Sequence, residues 1–287
     1  MSEFDLNKPD IAGLGLRYPT IMQPSPMGRI VTGAIVILLF SLLVFGIWWL
    51  EIDFHRVWSG IGRLGEFAVL MFPPSSGGQA HSYLNALGET LAIALLGTLL
   101  GAVLAFPLGV LAAANVIPNW VFRFSLRRSL DIVRSVDTLV WALIWINVVG
   151  LGPFAGVLAI ASSDLGAFGK IFSETIEGAS KKGVEGIRST GGNRLHEVRF
   201  GLLPEVMPVI LGQVLYFFES NTRSATIIGI VGAGGIGLQL YEQIRTVEWQ
   251  SVCYIVIMIL ITVAIIDFIS TKLRDVIAGR RSSPENL

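Results

Sequence analysis

The chain is poor in charge and almost devoid of cysteine and histidine. Only 15% of its 287 residues are charged, against about 25% in a soluble domain of average make-up, so most of it is composed for a solvent other than water. Its 21 basic residues balance its 21 acidic ones, which excludes a basic nucleic-acid-binding surface or an acidic tail as the organising feature. The single cysteine, Cys253, excludes a disulfide framework and a cysteine-based zinc site. His55, His81 and His196 are scattered, with no pair at metal-ligand spacing, so no metal site is expected. There is no G-x-x-x-x-G-K-S/T loop to cradle a nucleotide's phosphates, and no internal repeat. Converging nucleophile, base or metal ligands are also missing, which argues against an intramembrane enzyme. An ion channel would want a ring of like charges or a filter sequence, and neither is visible.

What the chain has is long apolar runs. About 20 apolar residues at 1.5 Å each cross a hydrocarbon core of roughly 30 Å. Ile30–Leu50 is such a run, too long and too far from the N-terminus for a typical cleaved signal peptide. Leu91–Ala114 is a second, with Pro107 as a tolerable kink. Val206–Val231 is uncharged except for Glu219 and Arg223, and Val252–Ser270 closes the set with Asp267 near its end. Thr138–Ser163 is uncharged throughout, but Gly150-Leu151-Gly152-Pro153 in its middle is a turn signal. A turn there predicts two spans, from about Leu130 to Val149 and from about Phe154 to Phe172.

Lysine and arginine concentrate in cytoplasmic loops. With six spans and the N-terminus inside, the inner segments hold Lys8, Arg17 and Arg29, then Arg123, Arg127 and Arg128. They also hold Lys170, Lys181, Lys182, Arg188, Arg194 and Arg199, then Lys272, Arg274, Arg280 and Arg281. Arg56, Arg63 and Arg245 fall outside. Reading Thr138–Ser163 as one span destroys this asymmetry. The expected architecture is an all-α membrane protein with six transmembrane helices and both termini cytoplasmic. Its segments are an inner tail over 1–29, a first span over 30–50, an outer loop over 51–82, a core over 83–273 and an inner tail over 274–287. Trp120–Arg128 mixes aromatics with three arginines, a headgroup anchor.

In the first outer loop, Phe54, Val57, Trp58, Ile61, Leu64, Ala68 and Met71 recur at helical steps, with Asp53, Arg56, Arg63 and Glu66 off that stripe. This pattern fits a helix in the outer lipid interface or one packed on the protein's own spans. Phe72–Gly78 supplies a flexible link.

The inner loop over 173–204 is more specific. Glu185-Gly186-Ile187 is followed by Gly191, six residues after the glutamate, and by Leu203-Pro204, whose proline lies thirteen after that glycine. The spacing resembles the Glu-Ala-Ala signature of permease subunits in ATP-binding-cassette importers. Gly186 and Ile187 replace the alanines, and Gly201 replaces a usual isoleucine. The physical logic is a short helix, a turn at Gly191-Gly192, a second short helix from Asn193 and a proline opening the next span. Downstream, Phe218-Glu219-Ser220-Asn221, Arg223-Ser224-Ala225-Thr226 and Gly232-Ala233-Gly234-Gly235-Ile236-Gly237 are similar to phosphonate-importer permeases in particular. So are Val184–Arg188 and Gly152–Ala159. After Arg134-Ser135 many members of the superfamily carry a proline where this chain has Asp137.

The resemblance implies the importer-permease (MetI-like) fold and a bacterial inner-membrane location. It implies a coupling loop, Glu185, Gly186, Ile187, Gly191, Leu203 and Pro204, docked on a cytoplasmic ATPase dimer that carries the ATP and magnesium. This chain would need no cofactor of its own. A periplasmic or lipid-anchored binding protein and a second permease copy are the further implied partners, with membrane lipid around them. The expected cargo is phosphonate or a related small phosphorus oxyanion, with phosphite, hypophosphite or phosphate as alternatives.

Gly232–Gly237 also fits G-x-G-x-x-G, but that fingerprint needs a preceding strand and a following acidic residue. A membrane span precedes it here, so Gly232, Gly234, Gly235 and Gly237 are expected to form a turn at the outer mouth of the pathway. Glu219 and Arg223 stand four apart, acid first, the better orientation for an intrahelical pair. They either neutralise each other in the bundle or leave Arg223 to offer a planar cation to an oxyanion in transit. Glu219, Ser220, Asn221, Arg223 and Ser224 are the candidate path residues. Asp131, Arg134 and Asp137 are expected to form a charge-balanced cluster. Gly97 and Gly101 make a small-xxx-small step for bundle packing or a subunit interface, and Cys253 is a small apolar packer.

Overall fold

The structure is a computed structural model that describes residues 26–277. Most of both expected tails lies outside the described residues. Helices α1 (Pro26–Trp49), α2 (Phe54–Leu70), α3 (Ala80–Ala112), α4 (Trp120–Arg134), α5 (Thr138–Val149) and α6 (Pro153–Glu177) come first. They are followed by α7 (Lys181–Ser189), α8 (Arg194–His196), α9 (Leu203–Ile228), α10 (Ile236–Arg245) and α11 (Trp249–Ile277). No strand occurs among the described residues. Two π-helical turns, Glu197–Leu202 and Gly229–Ala233, flank α9. The chain divides into two compact units, one ending at Glu66 and one beginning at Phe67.

In the first unit, α1 is apolar all round and its side chains are exposed, Phe40, Leu42 and Phe45 among them. That is the composition of a helix solvated by hydrocarbon. Asp53 starts α2 by accepting from the His55 N–H at 2.8 Å, and Phe54, Trp58, Ile61 and Leu64 form an exposed apolar stripe along it.

The second unit is organised around α3 and α6. A Cβ on Gly97 would lie 2.7 Å from the Cβ of Ile160, one on Gly101 2.9 Å from that of Asp164, and one on Gly109 2.8 Å from that of Phe172. Three hydrogens in place of side chains let the two backbones close. The Gly97–Gly101 step therefore serves packing within the chain. Around this pair, Phe168, Phe172, Ile176, Leu202 and Val206 form one buried cluster, and Ile93, Ile160, Ala225 and Ile228 another. A third joins Tyr83, Ile236 and Ile255, with Tyr254 packed against it beside the half-buried Cys253.

Among the described residues, five helices are long and apolar enough to cross a membrane, and a sixth crossing requires a bent pair. The single helix expected over 130–149 is instead α4 and α5, bent by 84°. The 12 residues of α5 span about 18 Å, too short to cross a ~30 Å core alone. The break has a local cause. Asp137 adopts extended backbone as the N-cap of α5 and accepts from the Leu139 N–H at 2.8 Å, so the chain must leave helical geometry there. Trp120–Arg128 opens α4, which Asn119 caps by accepting from the N–H groups of Val121 and Phe122.

The charge cluster is also differently composed. Asp131 reaches Arg128 at 3.7 Å and Lys170 at 3.8 Å, Asp137 is occupied as a cap, and Arg134 forms no ion pair among the described residues. Cap geometry takes Asp137 away from the cluster, and α6 supplies the cation that Arg134 was expected to provide.

Candidate functional site: a helical hairpin, a buried polar centre and a two-arginine carboxylate

The segment between α6 and α9 is a helical hairpin. Ser180 caps α7 by accepting from the Lys182 N–H at 3.3 Å. Gly191 turns the chain at φ +81°, and Asn193 caps α8 by accepting from the His196 N–H at 3.0 Å. Pro204 then stands in the first turn of α9, where its missing N–H costs nothing. Arg188 donates to both carboxylate oxygens of Glu197, at 2.9 and 3.1 Å, a two-point clamp between the arms. That hydrogen bonding holds the Glu197 carboxyl below its ordinary range.

Gly186 has open space around it and Glu185 is exposed. Gly201, the departure from the expected isoleucine, has a structural partner. A Cβ on Gly183 would lie 2.7 Å from the Gly201 carbonyl oxygen, and one on Gly201 3.0 Å from the Gly183 carbonyl carbon. The two arms touch backbone to backbone. A Gly201→Ile variant is expected to part them at a cost of about 1–3 kcal/mol, seen as faster hydrogen exchange of the α7 amides than in wild type.

Hydrogen bonds fasten this hairpin to the segment after α3 and to α9, and join that segment to α6. Arg194 donates to the Val116 carbonyl at 2.9 Å, Ser180 N–H donates to Glu205 at 2.8 Å, and Asn115 donates to the Ile176 carbonyl at 2.7 Å. Arg127 from α4 bonds Glu177 at 2.6 Å and the Ala112 carbonyl at 3.0 Å. The ends of α3, α4 and α6 and the hairpin thus form one polar-clasped body. A cavity of about 320 Å³ opens between them, lined by Glu177, Ser180, Glu185, Arg188, Arg194 and Glu197.

Deep in the bundle, the Asn221 amide donates to Asp164 at 2.6 Å and to Thr98 at 2.8 Å. It joins α9, α6 and α3 at one point. All three residues are buried, with Asp164 only 4% exposed. Asn221 was expected to face a path; the structure turns it into the bundle. Sequence reasoning missed Asp164 altogether, although a carboxylate in an otherwise apolar span is itself a signal.

Beyond α9, the glycine turn is packed. Gly232, Gly234 and Gly235 take φ of +107°, +81° and +73°, a region open chiefly to glycine. The Gly152 N–H donates to the Gly232 carbonyl at 3.0 Å, and the Ile236 N–H donates to the Thr90 hydroxyl at 2.8 Å. Gly234, Gly235 and Gly237 are buried against α3, Pro153 and the end of α9.

On another side of α9 lies Glu219, whose two oxygens are each 3.2 Å from a different guanidinium, that of Arg223 and that of Arg274. The carboxylate is 9% exposed in its side chain and Arg223 50%. Arg274, expected only as part of an inner basic segment, is the second partner that spacing could not reveal, because it comes from the far end of α11. Ser220 and Ser224 are half-buried beside them, with the Ser224 hydroxyl 3.5 Å from the Ser220 carbonyl.

Helices long and apolar enough to cross a membrane, a hairpin clasped to their ends and charged groups held within the bundle define a polytopic membrane protein. The fold resembles the solved methionine ABC transporter MetNI in inward-facing conformations, with a TM-score of 0.63 at 20% identity over 71% of this chain and 99% of that one. The chain belongs to the family of binding-protein-dependent transport system inner membrane components, whose profile matches residues 105–283. It is 40% identical over 239 residues to HtxC of Stutzerimonas stutzeri, named for a phosphite transport system, covering 83% of this chain and 84% of that protein. It is also 47% identical over 118 residues to PhnE2 of Escherichia coli K12, named for a cryptic phosphonate transport system, covering 41% of this chain and 97% of that protein. The chain is accordingly a multi-pass inner-membrane transport component.

Proposed function

We propose that this chain is the path-forming permease of an ATP-driven importer that moves phosphonate, or a related small phosphorus oxyanion such as phosphite, by alternating access. Its termini face the cytoplasm. The hairpin over 181–202, with Glu185, Gly186 and Ile187 on its first arm, docks on a separate ATPase dimer that binds ATP and magnesium. A binding protein delivers the solute on the opposite side, and two copies of this permease enclose the path. The core over 83–273 carries these contacts, and α2 lies in the outer lipid interface.

The observation that carries the reading of the cargo is Arg223, a half-exposed guanidinium in the C-terminal quarter of the membrane-spanning helix α9. Such a charge is costly in lipid and belongs at a water-filled or protein-lined surface, and its planar fork matches an oxyanion's oxygens. The names of the relatives agree with that chemistry. In the assembled importer, phosphite or methylphosphonate with the binding protein is expected to stimulate ATP hydrolysis. Arg223→Lys keeps the charge and loses the fork, so uptake is expected to fall about tenfold. Full transport with normal ATPase coupling in that variant would overturn the role of Arg223. Failure of every phosphorus oxyanion to stimulate hydrolysis would overturn the cargo.

A further inference from the structure

Glu219 is bound by two arginines that are held very differently. The Arg274 guanidinium donates to the Ser270 carbonyl at 3.3 Å, to the Thr271 hydroxyl at 3.0 Å and to Glu219 at 3.2 Å. It also stands over the Tyr216 ring, 5.8 Å from its centroid, a cation–π distance. Arg223 donates one hydrogen bond among the described residues, to Glu219 at 3.2 Å. Exposure follows the same order, 29% for the side chain of Arg274 and 50% for that of Arg223. One guanidinium is fixed in its setting, while the other is tethered by a single carboxylate oxygen.

A buried carboxylate with one cationic partner cannot release it cheaply, because departure strands an unpaired charge. With Arg274 on the second oxygen, departure of Arg223 leaves a neutral Glu219–Arg274 pair. The three groups together carry one net positive charge, enough for a passing monoanion. We infer that Arg274 is the standing counter-ion of Glu219 and frees Arg223 to leave that carboxylate and bind the oxyanion in transit. This rests on the reading of Arg223 as a path residue. Arg274 acts through Glu219 and is a positioning residue, which explains why a cation in the last turns of α11 would govern a contact on α9.

A double-mutant cycle in the assembled importer, with the binding protein and phosphite as probe, tests this. Arg274→Gln makes Arg223 the sole partner of Glu219 and locks it there, so phosphite uptake is expected to fall about tenfold or more. Glu219→Gln removes the charge that holds Arg223 but also alters the site itself, so uptake is expected to fall, and by clearly less than in Arg274→Gln. The double variant Glu219→Gln/Arg274→Gln is expected to recover to about the level of Glu219→Gln alone, a rescue that a merely structural role for Arg274 would not give. The inference is overturned if Arg274→Gln transports like wild type, or if either Glu219→Gln alone or the double variant is as impaired as Arg274→Gln. Arg223→Ala separates the two levels. Wild-type uptake in that variant removes the underlying reading, whereas loss of uptake there with an unaffected Arg274→Gln removes only the role of Arg274.

Discussion

Replacing Asn221 by leucine is expected to destabilise the bundle by about 1–3 kcal/mol, the cost of leaving a buried polar group without its hydrogen-bond partner. Leucine keeps the same branched heavy-atom skeleton, although its methyl groups are bulkier than the amide's atoms, and it cannot donate to the carboxyl. Asn221 is the only side-chain partner of Asp164 among the described residues, at 2.6 Å, and water cannot replace it at 4% exposure. Thr98→Val removes the other hydrogen bond of the same amide but leaves the carboxyl satisfied. That substitution is expected to cost only about 0.6–1.7 kcal/mol, the range of interhelical hydrogen bonds inside membranes. Adding Asp164→Ala to Asn221→Leu should restore much of the stability, since the orphaned group is then gone. Thermal melting of the purified chain in detergent orders the variants. Equal melting of Asn221→Leu and Thr98→Val would contradict the account.

Gly237→Ala is expected to be at least as damaging, about 4 kcal/mol or more, at the far end of the range for single substitutions. The added Cβ would fall on the Thr226 carbonyl oxygen and 3.0 Å from the Gly229 Cα. Those are backbone atoms that cannot rotate aside, so the end of α9 and the start of α10 would have to separate. Their separation pulls the Ile236 N–H from the Thr90 hydroxyl, now 2.8 Å away. Gly212→Ala, on α9, is the control, because nothing lies within 4 Å of its added Cβ. It should be neutral, or stabilising by about 0.5–1 kcal/mol from helix propensity. Yield and melting temperature of the assembled complex read both, and a Gly237→Ala protein as stable as Gly212→Ala would refute the packing argument.

Residues close in sequence were legible where local chemistry decides. The hairpin's glycine turn, its second arm starting from Asn193 and Pro204 opening α9 follow from residue type and position, and the structure has each of them. The Glu219–Arg223 pair was legible for the same reason, since four residues make one helical turn. Asp137 shows the limit of the same logic. As a strong N-cap residue after Arg134-Ser135 it could have signalled a break, yet the apolar run around it pointed to one continuous span, and cap geometry prevailed. The meaning of Gly201 was beyond reach, because its partner Gly183 lies on the opposite arm and only the folded hairpin brings the two backbones together.

The sequence by itself determined that this is a membrane protein of apolar helical spans, and it marked the hairpin and the glycine turn. Apolar run length, cap chemistry and glycine's freedom act within a few residues of chain and need no tertiary context. Only the tertiary structure decided which face of α9 each polar residue takes. Asn221 turns inward to Asp164 and Thr98, while Arg223, two residues on, is left half-exposed on a carboxylate that Arg274 also holds. Those partners lie between 50 and 125 residues away in the chain on α3, α6 and α11. A polar group in an apolar bundle is defined by what satisfies it, and only packing brings such distant groups within reach.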